Sequence, residues 1–259
     1  MSRIARAFDK DTAFIGFVTG GDPSIEKSEE FILKMIEAGA GLVEIGIPFS
    51  DPVAEGPVIQ AANARALSAG ANLAKMFKLV ENLRKKTETP LVFLSYFNPV
   101  FKYGVDAFFK RCAAAGLDGV IIPDLPFEES GEVNVAAEYG VDLIPLVAPT
   151  SEHRIKEIAR SAAGFLYVVS SMGVTGTRAA IETDLKTIVE TAKAAAKIPV
   201  AVGFGINTPE QAAEIAKIAD GVIVGSAIVK IIEKYGGDAG AHIFDYVKSM
   251  KAAVISSGV

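Results

Sequence analysis

The chain has 259 residues, half of them hydrophobic, with a net charge of −5 and a pI near 5.2. That acidic balance argues against a nucleic-acid footprint, which needs a basic face, and no apolar run approaches the roughly 18 residues of a membrane helix. A single cysteine, Cys112, excludes an intrachain disulfide and fits a reducing cytosol, and the segment MSRIARAFDKDTAF is too charged for a signal peptide, so a soluble, cytoplasmic protein is expected.

Short apolar runs recur along the whole length: Ala13 to Val18, Leu42 to Ile47, Leu91 to Ser95, Gly119 to Ile122, Leu143 to Val147, Phe165 to Val169, Pro199 to Gly203 and Gly221 to Val224. They are rich in Val, Ile, Leu and Phe and show little alternation, as strands buried on both faces should. Amphipathic stretches lie between them. Ser28 to Ala38 carries Phe31, Ile32, Met35 and Ile36 at helical spacing, and further helices are expected over Asp184 to Ala194 and Pro209 to Ala219. The last begins with Thr208 and Pro209, an N-cap followed by Pro at the first helical position. Eight strand–helix alternations without a linker or composition break predict a single-domain α/β (β/α)8 TIM barrel over residues 1–259, with an open doubly wound sheet as the alternative.

In such a barrel the chemistry lies where the strands end at their C-termini. Run six is followed by Ser170-Ser171-Met172-Gly173-Val174-Thr175-Gly176-Thr177, run seven by Phe204-Gly205-Ile206-Asn207, and run eight by Gly225-Ser226 at a helix start. Three successive glycine-bearing loops on one rim suit a phosphate, because glycine lets backbone N–H groups approach an anion and a helix N-terminus carries partial positive charge. Ordinary turn glycines are the blander alternative.

Glu44 interrupts the apolar run Leu42-Val43-Glu44-Ile45-Gly46-Ile47. A buried carboxylate costs several kcal/mol unless paired or protonated, and burial moves its pKa up toward the ~6–7 useful for acid–base work. Glu55, beyond the Pro- and Gly-containing stretch Pro48 to Gly56, can reach the same pocket. A backbone-satisfied structural role for Glu44 and a solvated one for Glu55 are the competing readings, and Asp124 is a third acid with a structural role at the rim. No lysine stands at a strand end in position for a Schiff base. His153 and His242 fall in helical stretches, which argues against a His-rich metal site, and Cys112 reads as core. Carboxylate acid–base work on a phosphorylated substrate remains.

These residues resemble the tryptophan synthase alpha subunit family from Phe17-Val18-Thr19-Gly20-Gly21-Asp22-Pro23 to Gly225-Ser226-Ala227-Ile228-Val229, most specifically at Glu44 to Gln60, Gly173-Val174-Thr175-Gly176 and Gly203-Phe204-Gly205-Ile206. The resemblance implies cleavage of indole-3-glycerol phosphate to indole and glyceraldehyde 3-phosphate in tryptophan biosynthesis. Glu44 is implied to protonate the indole C3 and take the glycerol hydroxyl proton, and Glu55 to interact with the indole N–H. Many members have Asp at the latter position, so this chain departs by one methylene. Phe17, Leu94 and Ile59 are implied to line the indole pocket, and Thr19, Tyr96 and Tyr167 match polar or aromatic pocket positions. Thr175 would help close the site, while Gly176, Gly205, Gly225 and Ser226 would hold the phosphate. The implied partner is a beta subunit carrying pyridoxal phosphate in an alpha2beta2 tetramer, facing Pro48 to Pro52 and the loop after run six. The chain itself is implied to need no cofactor or metal. A sugar-phosphate isomerase, a stand-alone lyase that releases indole freely, and a noncatalytic activating subunit are the rival readings.

Overall fold

The computed structural model describes residues 2–149, 152–169, 178–203 and 205–257. Among these residues nine strands run parallel: β1 (Ala13–Thr19), β2 (Leu42–Gly46), β3 (Leu91–Leu94), β4 (Gly119–Ile121), β5 (Asp142–Leu143), β6 (Leu146–Val147), β7 (Leu166–Val169), β8 (Val200–Gly203) and β9 (Gly221–Val224). Their order in the sheet is β5-β4-β3-β2-β1-β9-β8-β7-β6, with β1 bonded to β2 on one side and to β9 on the other. The two ends of that order, β5 and β6, are consecutive in the chain, so the sheet curls into a ring. This is a (β/α)8 barrel, and the open doubly wound alternative is set aside.

The one departure from the expected strands is run five. It is two short pieces, not one strand from Leu143 to Val147. Asp142–Leu143 pairs with β4 and Leu146–Val147 with β7. Between them Ile144 still donates to the Val120 carbonyl (2.9 Å) and Pro145 still accepts from Tyr167 (3.1 Å). Pro145 has no N–H to contribute to a ladder, and that breaks the strand.

Alternation along the strands sorts the core into two sets. Ala13, Ile15, Leu42, Val92, Ile121, Ile144, Phe165, Tyr167, Ala201 and Ile223 fill the inside of the ring. Phe14, Val18, Val43, Ile45, Phe93, Val120, Val168, Val202 and Val222 face the surrounding helices. Both sets are buried, which is why the strands read as continuous apolar runs. Ile4, from the short helix Arg3–Arg6, joins the inner set and is fully buried, packing into the end of the ring where the strands begin.

The helices start where local chemistry allows. Ile25–Glu37 begins earlier than the apolar pattern indicates, because the Ser24 hydroxyl accepts from the Lys27 N–H (3.2 Å) and caps it; its buried stripe is Phe31, Ile32 and Met35. Pro209–Ala216 has Thr208 and Gln211 in a reciprocal capping box with Pro at its first position, and it stops short of the expected Ala219. Arg178–Ala195 extends the helix expected from Asp184 toward the N-terminus. The β2–β3 crossover holds two helices, Pro57–Ser68 and Leu73–Arg84.

Candidate active site

The strands end in a cleft of about 1290 Å³. Phe17, Glu44, Leu94, Tyr167 and Ile223 form its floor, Glu55, Val58 and Ile59 one side, and Gly205, Gly225 and Ser226 another. This volume exceeds what one bicyclic ring fills and leaves space for a polar tail.

Glu44 points inward from the middle of β2, in register with Phe17 of β1 and Val92 of β3. It is 1% exposed, and its Oε1 has no hydrogen-bond partner among the described residues. Burial alone pushes its carboxyl from 4.5 up to about 8. Desolvation favours the neutral acid, so Glu44 holds a proton at neutral pH inside an otherwise apolar floor. Tyr167 shares that floor. Burial lifts its phenol well above the ordinary value and the nearby Glu44 charge pushes in the same direction. The room for Tyr167 comes from β8. A Cβ added at Gly203 would lie 2.5 Å from the Tyr167 hydroxyl and 2.7 Å from its ring, so glycine is required there by close approach.

Glu55 hangs over the cleft from the loop after β2. Burial raises its carboxyl to about 7, partly opposed by a 2.6 Å hydrogen bond that its Oε2 accepts from Asn63 Nδ2. The two acids therefore titrate near neutrality by the same cause, with Glu55 ionising at the lower pH. The Gln60 amide donates to the Glu55 carbonyl at 2.7 Å and fixes the loop where it enters the helix Pro57–Ser68.

The opposite side of the cleft suits an anion. Gly205 takes φ +78°, a conformation open to glycine, and directs the chain after β8 along the cleft. Gly225 is the N-cap of the helix Ser226–Tyr235 and brings no side chain to cap it, so the positive end of that helix meets the cavity at Ser226 and Ala227. The same wall carries a cation, Lys230, one turn into the helix.

A family model described as tryptophan synthase alpha chain matches residues 5–254. The tryptophan synthase alpha chain of Lacticaseibacillus casei is 51% identical over 255 residues, covering 98% of this chain and 96% of that one. The chain belongs to the tryptophan synthase alpha chain family. Among solved structures, subunit alpha from Legionella pneumophila str. Paris superposes with a TM-score of 0.89 at 38% identity, covering 98% of both chains. A chain of the tryptophan synthase complex from Pyrococcus furiosus gives 0.86 at 35% identity, covering 94% of this chain and 99% of that one. The tryptophan synthase alpha chain is the carbon–carbon lyase that cleaves indole-3-glycerol phosphate in tryptophan biosynthesis. This sets aside the sugar-phosphate isomerase reading.

Of the positions that the tryptophan synthase alpha resemblance singles out, Phe17, Glu44, Glu55, Ile59, Leu94, Tyr167, Gly205, Gly225 and Ser226 meet at the one cleft. Thr19 and Tyr96 are not on its wall. Thr19 is buried at the end of β1, and its hydroxyl has no partner among the described residues. Tyr96 is buried behind the loop after β2, where its hydroxyl accepts from the Ala54 N–H at 3.0 Å. Thr175 and Gly176 lie outside the described residues. Asp124 accepts from the Phe97 N–H at 2.8 Å, the structural role expected of it. Sequence reasoning missed Ile144 and Ile223, which any apolar strand could have supplied, and also Asn63 and Lys230. Lys230 is visible in the sequence only as a polar residue one helical turn beyond Ser226, and Asn63 only as a polar residue within the helix that follows Glu55. His153, His242 and Cys112 do not line the cleft, and burial holds the Cys112 thiol well above its ordinary range. No group of three or more metal-ligating side chains occurs among the described residues.

Proposed function

We propose that this chain cleaves indole-3-glycerol phosphate to indole and glyceraldehyde 3-phosphate with Glu44 as its acid–base residue and Glu55 as its electrostatic partner. The observation that carries the assignment is the position of Glu44. A carboxyl without a hydrogen-bond partner among the described residues, protonated at neutral pH, stands on the floor of the cleft that also holds the glycine rim.

The chemistry follows from the two titrations. Protonated Glu44 gives its proton to the indole C3, which makes the ring an iminium and supplies the electron sink. The Glu55 carboxylate accepts a hydrogen bond from the ring N–H and stabilises the positive charge there. The resulting Glu44 carboxylate then takes the proton of the glycerol hydroxyl next to C3. The carbon–carbon bond breaks, its electron pair returns to the ring, and an aldehyde forms. Glu44 ends protonated, so the cycle balances without any other acid or base.

Phe17, Ile59, Leu94 and Tyr167 enclose the ring, with Thr19 and Tyr96 supporting from behind. Gly205, Gly225 and Ser226, with Gly176, hold the phosphate through backbone N–H groups, and Thr175 helps close the site. The chain acts as one domain over residues 1–259, is cytoplasmic, and needs no cofactor of its own. Its partner is a beta subunit that carries pyridoxal phosphate and receives the indole, in an alpha2beta2 tetramer. The mutual activation of such a complex in the Pyrococcus furiosus relative supports this reading, as do two exposed apolar side chains beyond the strand ends, Val53 at 82% and Phe101 at 66%. No helix among the described residues is long and apolar enough to cross a membrane.

The test is indole release from indole-3-glycerol phosphate by the wild type and by Glu44→Gln. The amide keeps the shape and cannot shuttle protons, so turnover should fall by at least ~10²-fold. Normal turnover by Glu44→Gln would make Glu44 structural and the mechanism wrong.

A further inference from the structure

Between Phe49 and Glu55 the loop after β2 is held at both ends by the same two side chains, neither of them on the cleft wall. Asn63 is 3% exposed on the helix Pro57–Ser68, in a stripe of small buried residues with Ala62 and Ala66. Its Oδ1 accepts from the Phe49 N–H at 3.4 Å, and its Nδ2 donates to Glu55 Oε2 at 2.6 Å. Tyr96 does the complementary work. Its ring packs on the Phe49 ring with centroids 5.3 Å apart, and its hydroxyl accepts from the Ala54 N–H.

A buried amide is a costly choice for that stripe, since unlike its alanine neighbours it needs hydrogen-bond partners. Its cost is offset only because both polar ends are engaged. Of these two bonds, the one to the carboxylate depends on charge. An amide N–H donates more strongly to an ionised carboxylate than to a neutral acid, and it also fixes the direction of that oxygen. The helix bearing Asn63 is itself anchored, because Arg65, two residues on, makes a two-pronged bond to buried Asp22 at 2.9 and 2.8 Å.

We propose that Asn63 is the positioning residue of the second acid: through one amide it aims the Glu55 carboxylate into the cleft, favours its ionised form against burial, and ties it to the Phe49 end of the loop. This rests on the assignment of Glu55 above and adds the group through which that carboxylate is set. The titratable groups facing the pair are Tyr96 from the end of β3 and, across the cleft, Glu44 and Asp124. The cations Arg154 and Lys230 also line the cleft, but it is the hydrogen bond from the Asn63 amide that offsets burial and favours the charged form of Glu55.

The experiment is a pH profile of kcat/KM for indole release, from pH 5.5 to 9, for wild type, Asn63→Ala, Asn63→Asp, Glu55→Gln and Asn63→Ala/Glu55→Gln, with thermal midpoints recorded for each. In the wild type the acid limb reports Glu55. Asn63→Ala should move that limb to higher pH by about one unit, and Asn63→Asp, of the same shape but with a like charge, should move it further. In the Glu55→Gln background the limb should vanish and Asn63→Ala should cost nothing more in turnover. If Asn63→Ala lowers turnover equally in both backgrounds with the limb unmoved, Asn63 is only structural and the proposal is overturned, while the role of Glu55 stands. If Glu55→Gln turns over normally, both fall together.

Discussion

Replacing Glu44 by Gln should change how stability responds to pH, and the size of the change follows from where Glu44 sits. In the unfolded chain the carboxyl ionises at its ordinary value of 4.5, and in the folded barrel at about 8. Below the lower value both states are protonated and Glu44 carries no ionisation penalty. As pH rises through 4.5 the unfolded state loses its proton first, so the folded state is progressively disfavoured until the folded carboxyl ionises as well. Each pH unit in that window costs about 1.4 kcal/mol. At pH 7 the penalty is about 3 kcal/mol, a large share of the 5–15 kcal/mol typical of a folded domain. Gln has no such term. It does leave a buried amide in an apolar floor, a cost that is independent of pH, so the diagnostic quantity is the slope and not the offset. The assay is urea unfolding followed by circular dichroism at half-unit steps from pH 5 to 9, for wild type and Glu44→Gln. The stability difference should grow in favour of Gln by about 1.4 kcal/mol per unit up to about pH 8 and then level off. Parallel curves across the range would show that Glu44 ionises normally in the folded state. That result would remove the physical basis for treating it as an acid at neutral pH.

Two further outcomes follow from the cleft. Gly203→Ala should force Tyr167 away from β8, since the added methyl would sit 2.5 Å from its hydroxyl; overpacking of this kind costs about 1–3 kcal/mol, and displacing a wall beside Glu44 should lower turnover by up to ~10²-fold. Wild-type turnover and thermal midpoint in this variant would mean that Tyr167 is not held where described. Addition of a saturating cognate beta subunit should raise indole production by stabilising the loop around Asp51 over the cleft; unchanged turnover would favour a stand-alone lyase.

The barrel was legible because its strands are buried on both faces and its crossovers carry helical spacing, signals that depend only on local pattern. Glu44 was legible for the opposite reason, as a charge where the pattern demanded an apolar residue. Glu55 could be placed only by resemblance, because a loop acid carries no periodic signal. Asn63 was hidden in a helix whose buried stripe is mostly alanine, where weak amphipathic contrast leaves a polar residue unremarked. The break in run five was present in the sequence as Pro145, but a proline within an apolar run of five reads as strand unless its missing N–H is counted. Tyr96 matches a pocket position by resemblance yet lies behind the loop after β2, since a strand-end position does not say on which side of a loop the ring will fall.

That break also sets where the barrel is compliant. β1 and β2 are zipped over five registered pairs, whereas each half of the fifth strand holds its neighbour over two. Leu143, Ile144, Pro145 and Leu146 all border the cleft. Local opening is easiest where the fewest backbone bonds must break together, so the wall around Pro145, like the two-pair seam between β8 and β9, yields more readily than the seam between β1 and β2. Glu44 stands on β2, which is bonded over five pairs to β1 and four to β3, so the cavity adjusts its width at Pro145 while that carboxyl keeps its place.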